Sequence, residues 1–139
     1  LDTVRHQFIH NDMNDRNILA DSRDESLISG IIDFGDAVHT ALIADVAIAC
    51  VAQITTPETL EADVLDFVRA YHETEPLLPG ELEVLHWLIA GRIVTGVLIP
   101  SWHRARNPGA EHFEPFSVEH IERRLALARR LMTAPAPRP

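Results

Sequence analysis

Three side chains in the first quarter of the chain have the types and spacing for chemistry at a charged oxygen centre. Asp12 and Asn17 stand in the polar run H-N-D-M-N-D-R-N, just after the apolar pair Phe8-Ile9, and Asp33 closes a second apolar run, Ile31-Ile32. Carboxylate and amide oxygens gathered from two neighbouring strands can hold a hard cation and still leave one carboxylate free as a base. Phosphoryl transfer asks for that combination. It needs a base or positioning group for the attacking hydroxyl and oxygen ligands for metal ions across the nucleotide phosphates, with little covalent work for the protein. The purely structural alternative is an Asp12 satisfied by turn backbone, a capping Asn17 and a strand-end Asp33.

The elements that must position these residues follow from pattern. Residues 7–10 read as a strand, 11–16 as a turn rich in Asn and Asp, 17–20 as a short strand, and 27–34 as an Ile-rich strand paired with it across a polar turn. Gly35 is expected in a turn that would strain other residues. From Thr40 to about Thr55 the chain is apolar nearly all round, which predicts a buried helix. Thr56-Pro57 is expected to open a second helix, with Thr as N-cap and Pro in the first position, and Leu60, Val64, Phe67, Val68 and Tyr71 on its apolar face. Pro79-Gly80 opens a third, carrying Leu82, Leu85, Leu88, Ile89, Ile93 and Val97, which Pro100 should end or kink. Residues 107–109 read as a loop. Ser117 caps a last helix, with Val118, Ile121, Leu125, Ala128 and Met132 on one face and Arg123, Arg124, Arg129 and Arg130 toward the negative end of its dipole. A small hairpin followed by four helices is an α+β pattern, and the hairpin depends on the helices to hold it. The expected organisation is one domain over residues 1–132 and a disordered tail over 133–139.

Composition narrows the function. The 139 residues carry a formal charge of −9, which argues against a nucleic-acid or anionic-membrane surface. All 12 basic residues are Arg, so a lysine for a nucleotide phosphate or a Schiff base would have to come from outside this chain. Cys50 is single and lies in an apolar run, which fits a buried structural thiol and a reducing cytoplasm. No stretch is expected to supply the roughly 20 apolar residues of a membrane span. Starting at Leu1 without a signal peptide, the chain reads as a truncated product or fragment. Six further histidines, His39, His72, His86, His103, His112 and His120, have no repeated ligand spacing, which leaves no zinc motif. Trp87 and Trp102 read as core or rim. Arg92 falls at helical spacing from Leu85, Leu88, Ile89 and Gly96, on an apolar face. Such an Arg needs an anionic partner: Asp45 or Glu81, or else a substrate carboxylate or phosphate.

The spacing Asp12-x4-Asn17 and the triplet Asp33-Phe34-Gly35 match the protein-kinase template of base, metal-binding Asn and metal-binding Asp. More closely, H-N-D-M-N-D-R-N-I-L resembles the catalytic loop of the aminoglycoside phosphotransferase and choline kinase family, usually H-G-D-x4-N, and I-I-D-F-G-D resembles its metal-binding strand. Asn11 stands where Gly is usual, and Asn tolerates the left-handed conformation better than most residues. Asn14-Asp15, the D-F-G-D ending and a long Leu/Ile helix around Arg92 are similar to the hydroxylysine-kinase-like branch, which includes kinase domains fused to aminotransferases.

The resemblance implies a mostly helical C-terminal lobe of a protein-kinase-like fold, with the hairpin carrying the catalytic loop. It implies ATP as co-substrate, Mg2+ as cofactor and a small hydroxylated metabolite as acceptor. Asp12 would be the base, with His10 bracing the loop; Asn17 and Asp33 would hold Mg2+; Leu19 and Ile32 would lie under the adenine. Asp45 would accept hydrogen bonds from the loop backbone or from His10. The family's N-terminal lobe, with its lysine and adenine hinge, has no counterpart here, so the isolated polypeptide is expected to be weak or inactive. Two other readings are a catalytically inactive pseudokinase-like binding module and a metal-dependent phosphohydrolase built on His10 and Asp12.

Overall fold

The computed structural model describes residues 4–107 and 116–138. Four short strands, β1 (His6–Ile9), β2 (Ile18–Ala20), β3 (Ile28–Ile31) and β4 (Val38–Ala41), precede four helices, α1 (Leu42–Gln53), α2 (Leu60–Thr74), α3 (Pro79–Arg106) and α4 (Val118–Thr133). The architecture is α+β. The expected hairpin is β2–β3, with Ile18 opposite Ile31 and Leu19 opposite Gly30. A second antiparallel pair stands beside it in the topology: β1 joins β4, with His6 opposite Ala41 and Ile9 opposite Val38. The polar loop thus runs between two small sheets, from the end of β1 to the start of β2, rather than at the tip of one hairpin.

Strand β4 corrects the expectation of a helix from Thr40. Val38 to Ala41 are extended, and the helix begins only at Leu42, whose amide donates to the carbonyl of Arg5. Gly35 is not in the left-handed region. Among the described residues that conformation belongs to Asn11 (φ 65°) and Asp33 (φ 63°). Helix α2 starts at Leu60 rather than Pro57, although the Thr56 hydroxyl still accepts the Thr59 amide in the turn ahead of it. Pro100 does not end α3, which continues to Arg106. The Ser117 hydroxyl accepts the His120 amide as the expected cap of α4, but Val118 and Met132 are exposed and the buried face is Leu127, Ala128 and Leu131. Residues 108–109 of the expected loop lie outside the described residues.

The core gathers around α1, whose Ile43, Val46, Ala47 and Cys50 are sealed beneath Leu60, Val64 and Val68 of α2 and Leu85, Ile89 and Ile93 of α3. Each such Ile or Leu stabilises the fold by roughly 1.5–3 kcal/mol through burial. Burial pushes the Cys50 thiol up to about 12, so it is an inert packing group. One 18-residue window of α3 reaches a mean hydropathy of 1.6, so contrary to expectation one helix is long and apolar enough to cross a membrane by length and composition. Its charges are spread thinly along the helix, and its Leu85, Ile89 and Ile93 belong to the core shared with α1, α2 and α4.

One buried ion pair ties the chain's start to α3. Glu81 is fully buried, and its carboxylate accepts from the Arg5 amide (3.0 Å), Nε (2.9 Å) and Nη2 (2.8 Å) and from the Leu78 amide (2.8 Å). Burial alone would raise this carboxyl, but the Arg5 and Leu78 hydrogen bonds outweigh it and hold the group below its ordinary value of 4.5. We predict that Arg5→Ala, which strands the carboxylate in the core, destabilises the fold by about 3–5 kcal/mol in urea unfolding. Glu81→Gln should cost less, because the Arg5 side chain is 32% exposed and can take up water. A depressed carboxyl stabilises above its unfolded-state pKa and loses that contribution as pH falls through the folded-state value. Wild-type stability should therefore drop below pH 4.5, with a shallower acid limb in Glu81→Gln.

Candidate active site

The loop is fixed first by its backbone. Asp45, in the first turn of α1, accepts the His10 amide on Oδ2 (3.2 Å) and the Asn11 amide on Oδ1 (2.8 Å). A carboxylate there also suits the positive end of the helix dipole. Asn11 itself adopts the left-handed conformation, at the position where the related pattern has Gly. His10, itself buried, then links three segments. Its Nε2–H donates to the Ile32 carbonyl (2.8 Å), its Nδ1 accepts the Asp12 amide (3.3 Å), and its ring lies 4.8 Å from that of Phe34. A single tautomer, protonated on Nε2, satisfies both bonds.

These constraints present Asp12. Its Oδ1 accepts from Arg92 Nη2 at 2.8 Å, and its Oδ2 accepts from Asn14 Nδ2 (3.1 Å) and Asn17 Nδ2 (3.2 Å). Both amides also reach the Asp12 carbonyl, at 3.0 and 2.8 Å. The carboxylate is therefore oriented on both oxygens, while its side chain stays 31% exposed. Asn17 is buried, and its own carbonyl accepts the Ile32 amide (3.0 Å), which brings the strand leading to Asp33 against the loop. Asp33 follows in a strained left-handed conformation with an exposed side chain, and its carboxylate makes no hydrogen bond among the described residues. Gly35 leaves room beside it, since a Cβ there would sit 3.4 Å from Asp33 Oδ1.

Of the residues singled out by sequence, His10, Asp12, Asn17 and Arg92 are bonded directly to one another or through the loop. Asp45 holds that loop by its backbone, and Asp33 sits one residue beyond the Ile32 contact. Leu19 and Ile32 are 44% and 43% exposed, an open apolar surface on and next to the β2–β3 sheet. Arg92 pairs with neither Asp45 nor Glu81: its partner is Asp12, and Glu81 belongs to Arg5. Asp36 lies exposed in a one-turn 3₁₀ segment, Phe34–Asp36. In the sequence Asn14 stands out only as part of a motif. Its place two residues after Asp12 is the spacing at which Asx side chains bond nearby backbone, the one signal that could have found it.

The donor set can be weighed for a divalent cation. Among the described residues no three His, Cys, Asp or Glu side chains converge on a metal position. Mg2+ asks for less, typically one or two carboxylates with water and phosphate completing its shell. Asn17 turns its nitrogen toward Asp12, which leaves its oxygen without a donor among the described residues, and the Asp33 carboxylate is open. Both are hard oxygen donors and fit such an ion.

Residues 1–88 match the family model described as the phosphotransferase enzyme family. That segment takes in the loop, both sheets, α1, α2 and the first turns of α3, well over half the chain. The chain belongs to this phosphotransferase family, a kinase-type class, and its α+β fold with small antiparallel sheets is compatible with a protein-kinase-like architecture. No curated protein matches it.

If Asp45 is the anchor of the loop, Asp45→Ala leaves two amides without their acceptor. We expect a loss of about 1–3 kcal/mol and faster amide hydrogen exchange at His10 and Asn11, with exchange in α2 unchanged relative to global stability. Exchange at the two amides that tracks global unfolding alone would count against the anchor.

Proposed function

We propose that this chain is the C-terminal lobe of an ATP-dependent kinase. It would transfer the γ-phosphate to a hydroxyl of a small metabolite: a hydroxy amino acid, an amino alcohol or an aminoglycoside. The observation that supports this best is the Asp12 carboxylate, oriented by Asn14, Asn17 and Arg92 yet still open to solvent. Asp12 would accept a hydrogen bond from the acceptor hydroxyl, aim its oxygen in line with the γ-phosphorus and receive the proton as the new bond to phosphorus forms and the bond from phosphorus to the departing ADP oxygen breaks. Asn17 Oδ1 and the Asp33 carboxylate would hold magnesium, which when bound neutralises charge on the nucleotide phosphates. Leu19 and Ile32 offer an apolar surface for the adenine. His10 and Asp45 act through the loop's shape. The hydroxylysine-kinase-like branch and a cytoplasmic setting belong to the same reading, the latter supported by the single unpaired Cys50. A phosphate-clamping lysine, and the lobe or fused domain that carries it, would come from outside these residues.

The lack of any lysine is the one observation favouring a second reading, a catalytically inactive binding module. Calorimetry with Mg-ATP separates the two, since the kinase reading requires binding that weakens when magnesium is chelated. In the complete enzyme, Asp12→Asn should lower phosphoryl transfer about a hundredfold or more while nucleotide still binds. A coupled ADP-release assay measures this, and turnover near wild type would remove Asp12 from the reaction.

A further inference from the structure

Beyond the family-matched segment, a second arginine approaches the site. Arg92 and Gly96 are four residues apart on α3 and so share a face. Arg124 of α4 reaches across to that face, and its Nη2 lies 3.9 Å from where a Cβ on Gly96 would stand. The half-buried Arg124 guanidinium makes no hydrogen bond or ion pair with any described residue. Burial first, and the charge of Arg92 second, hold it below its ordinary value. Arg92 spends one nitrogen on Asp12 Oδ1, and its other donors have no acceptor among the described residues. Among the described residues, two guanidiniums, each with up to five N–H donors, thus lie near one carboxylate, and only Arg92 is bonded to it. Keeping a second cation half-buried beside the first is unfavourable unless an anion completes the set.

We propose that Arg92 and Arg124 form a carboxylate-binding pair beside Asp12, so that the hydroxyl acceptor is a hydroxy acid or hydroxy amino acid. This rests on the kinase reading and selects among its acceptors. The acceptor's hydroxyl meets Asp12 and its carboxylate meets the two forks. Arg suits this task because its planar fork matches two carboxylate oxygens at once.

The test needs neither nucleotide nor turnover, so it can fail independently of the kinase reading. Sodium acetate is titrated into the 15N-labelled full chain at ionic strength held constant with chloride, and the Nε–Hε resonances of Arg92 and Arg124 are followed. Inorganic phosphate is the parallel arm. Saturable shifts at both residues with acetate are expected, with affinity read at Arg92 falling about tenfold in Arg124→Gln. Arg124→Lys, which keeps the charge and loses the fork, should weaken acetate in the same direction by less, and stands in if the Gln variant does not fold. Shifts that rise linearly without saturation, or an acetate affinity unchanged in both variants, would overturn the pair. Saturation by phosphate alone would also overturn the carboxylate assignment and give the pair to the nucleotide.

Discussion

The site depends on one carboxylate that does no chemistry in this account. Asp45 sits at the start of the core helix α1 and accepts two consecutive loop amides, from His10 and Asn11. Without it those donors would face a half-buried acceptorless space, at a cost of about 1–3 kcal/mol for the pair. With it, the loop takes its bearing from a deeply packed helix, whose Ile43, Val46 and Cys50 are almost completely buried. The left-handed turn at Asn11 and the His10 contacts to Ile32 and Asp12 fall in the same short stretch of loop. Rigidity in the core is thereby passed to a polar loop that would otherwise be free.

Helix α3 supplies the second constraint. Glu81 and Arg92 are eleven residues apart, three turns, and so lie on nearly the same face about 16 Å from one another. Glu81 grips Arg5 just before β1, and Arg92 grips Asp12 just after it. The strand that delivers the loop is thus held at both ends by one helix through oppositely charged partners. The two pairs differ in kind. The Glu81 carboxylate is sealed and saturated with four donors, which is the arrangement of a fixed joint. The Arg92–Asp12 pair is one-third exposed on both sides and uses a single nitrogen, which leaves it able to exchange partners when a substrate arrives.

Much of this was legible in the residues. Asp12, Asn17 and Asp33 could be singled out as candidates because side-chain types at short spacing are visible without knowledge of the fold. The hairpin β2–β3, the buried α1 and the cap at Ser117 were readable for a similar reason. Strand β4 was hidden because Val38 to Ala41 run without a break into an apolar helix, and only its partner β1, some thirty residues earlier, decides that it is extended. Pro100 does not end α3: a proline costs a helix about 3 kcal/mol, a sum that the packing of Ile93 and Val97 one to two turns earlier can offset. The partner of Arg92 lies eighty residues away, beyond any periodicity, and so did the approach of Arg124 to Gly96. Periodicity placed Arg92 on its helix but could not choose among the carboxylates it might reach.

In the proposed function the Asp12 loop and the Asp33 turn form one phosphoryl-transfer centre around a nucleotide-bound metal. The most direct measurement replaces magnesium by Mn2+ in the presence of ATP and maps paramagnetic line broadening over the assigned amide spectrum of the complete protein. Broadening is expected to centre on the Asn17 side-chain amide and the backbone amides of Asp33 and Phe34, and to be abolished when Asp33 is changed to Ala. Broadening centred elsewhere, or unchanged in Asp33→Ala, would contradict it.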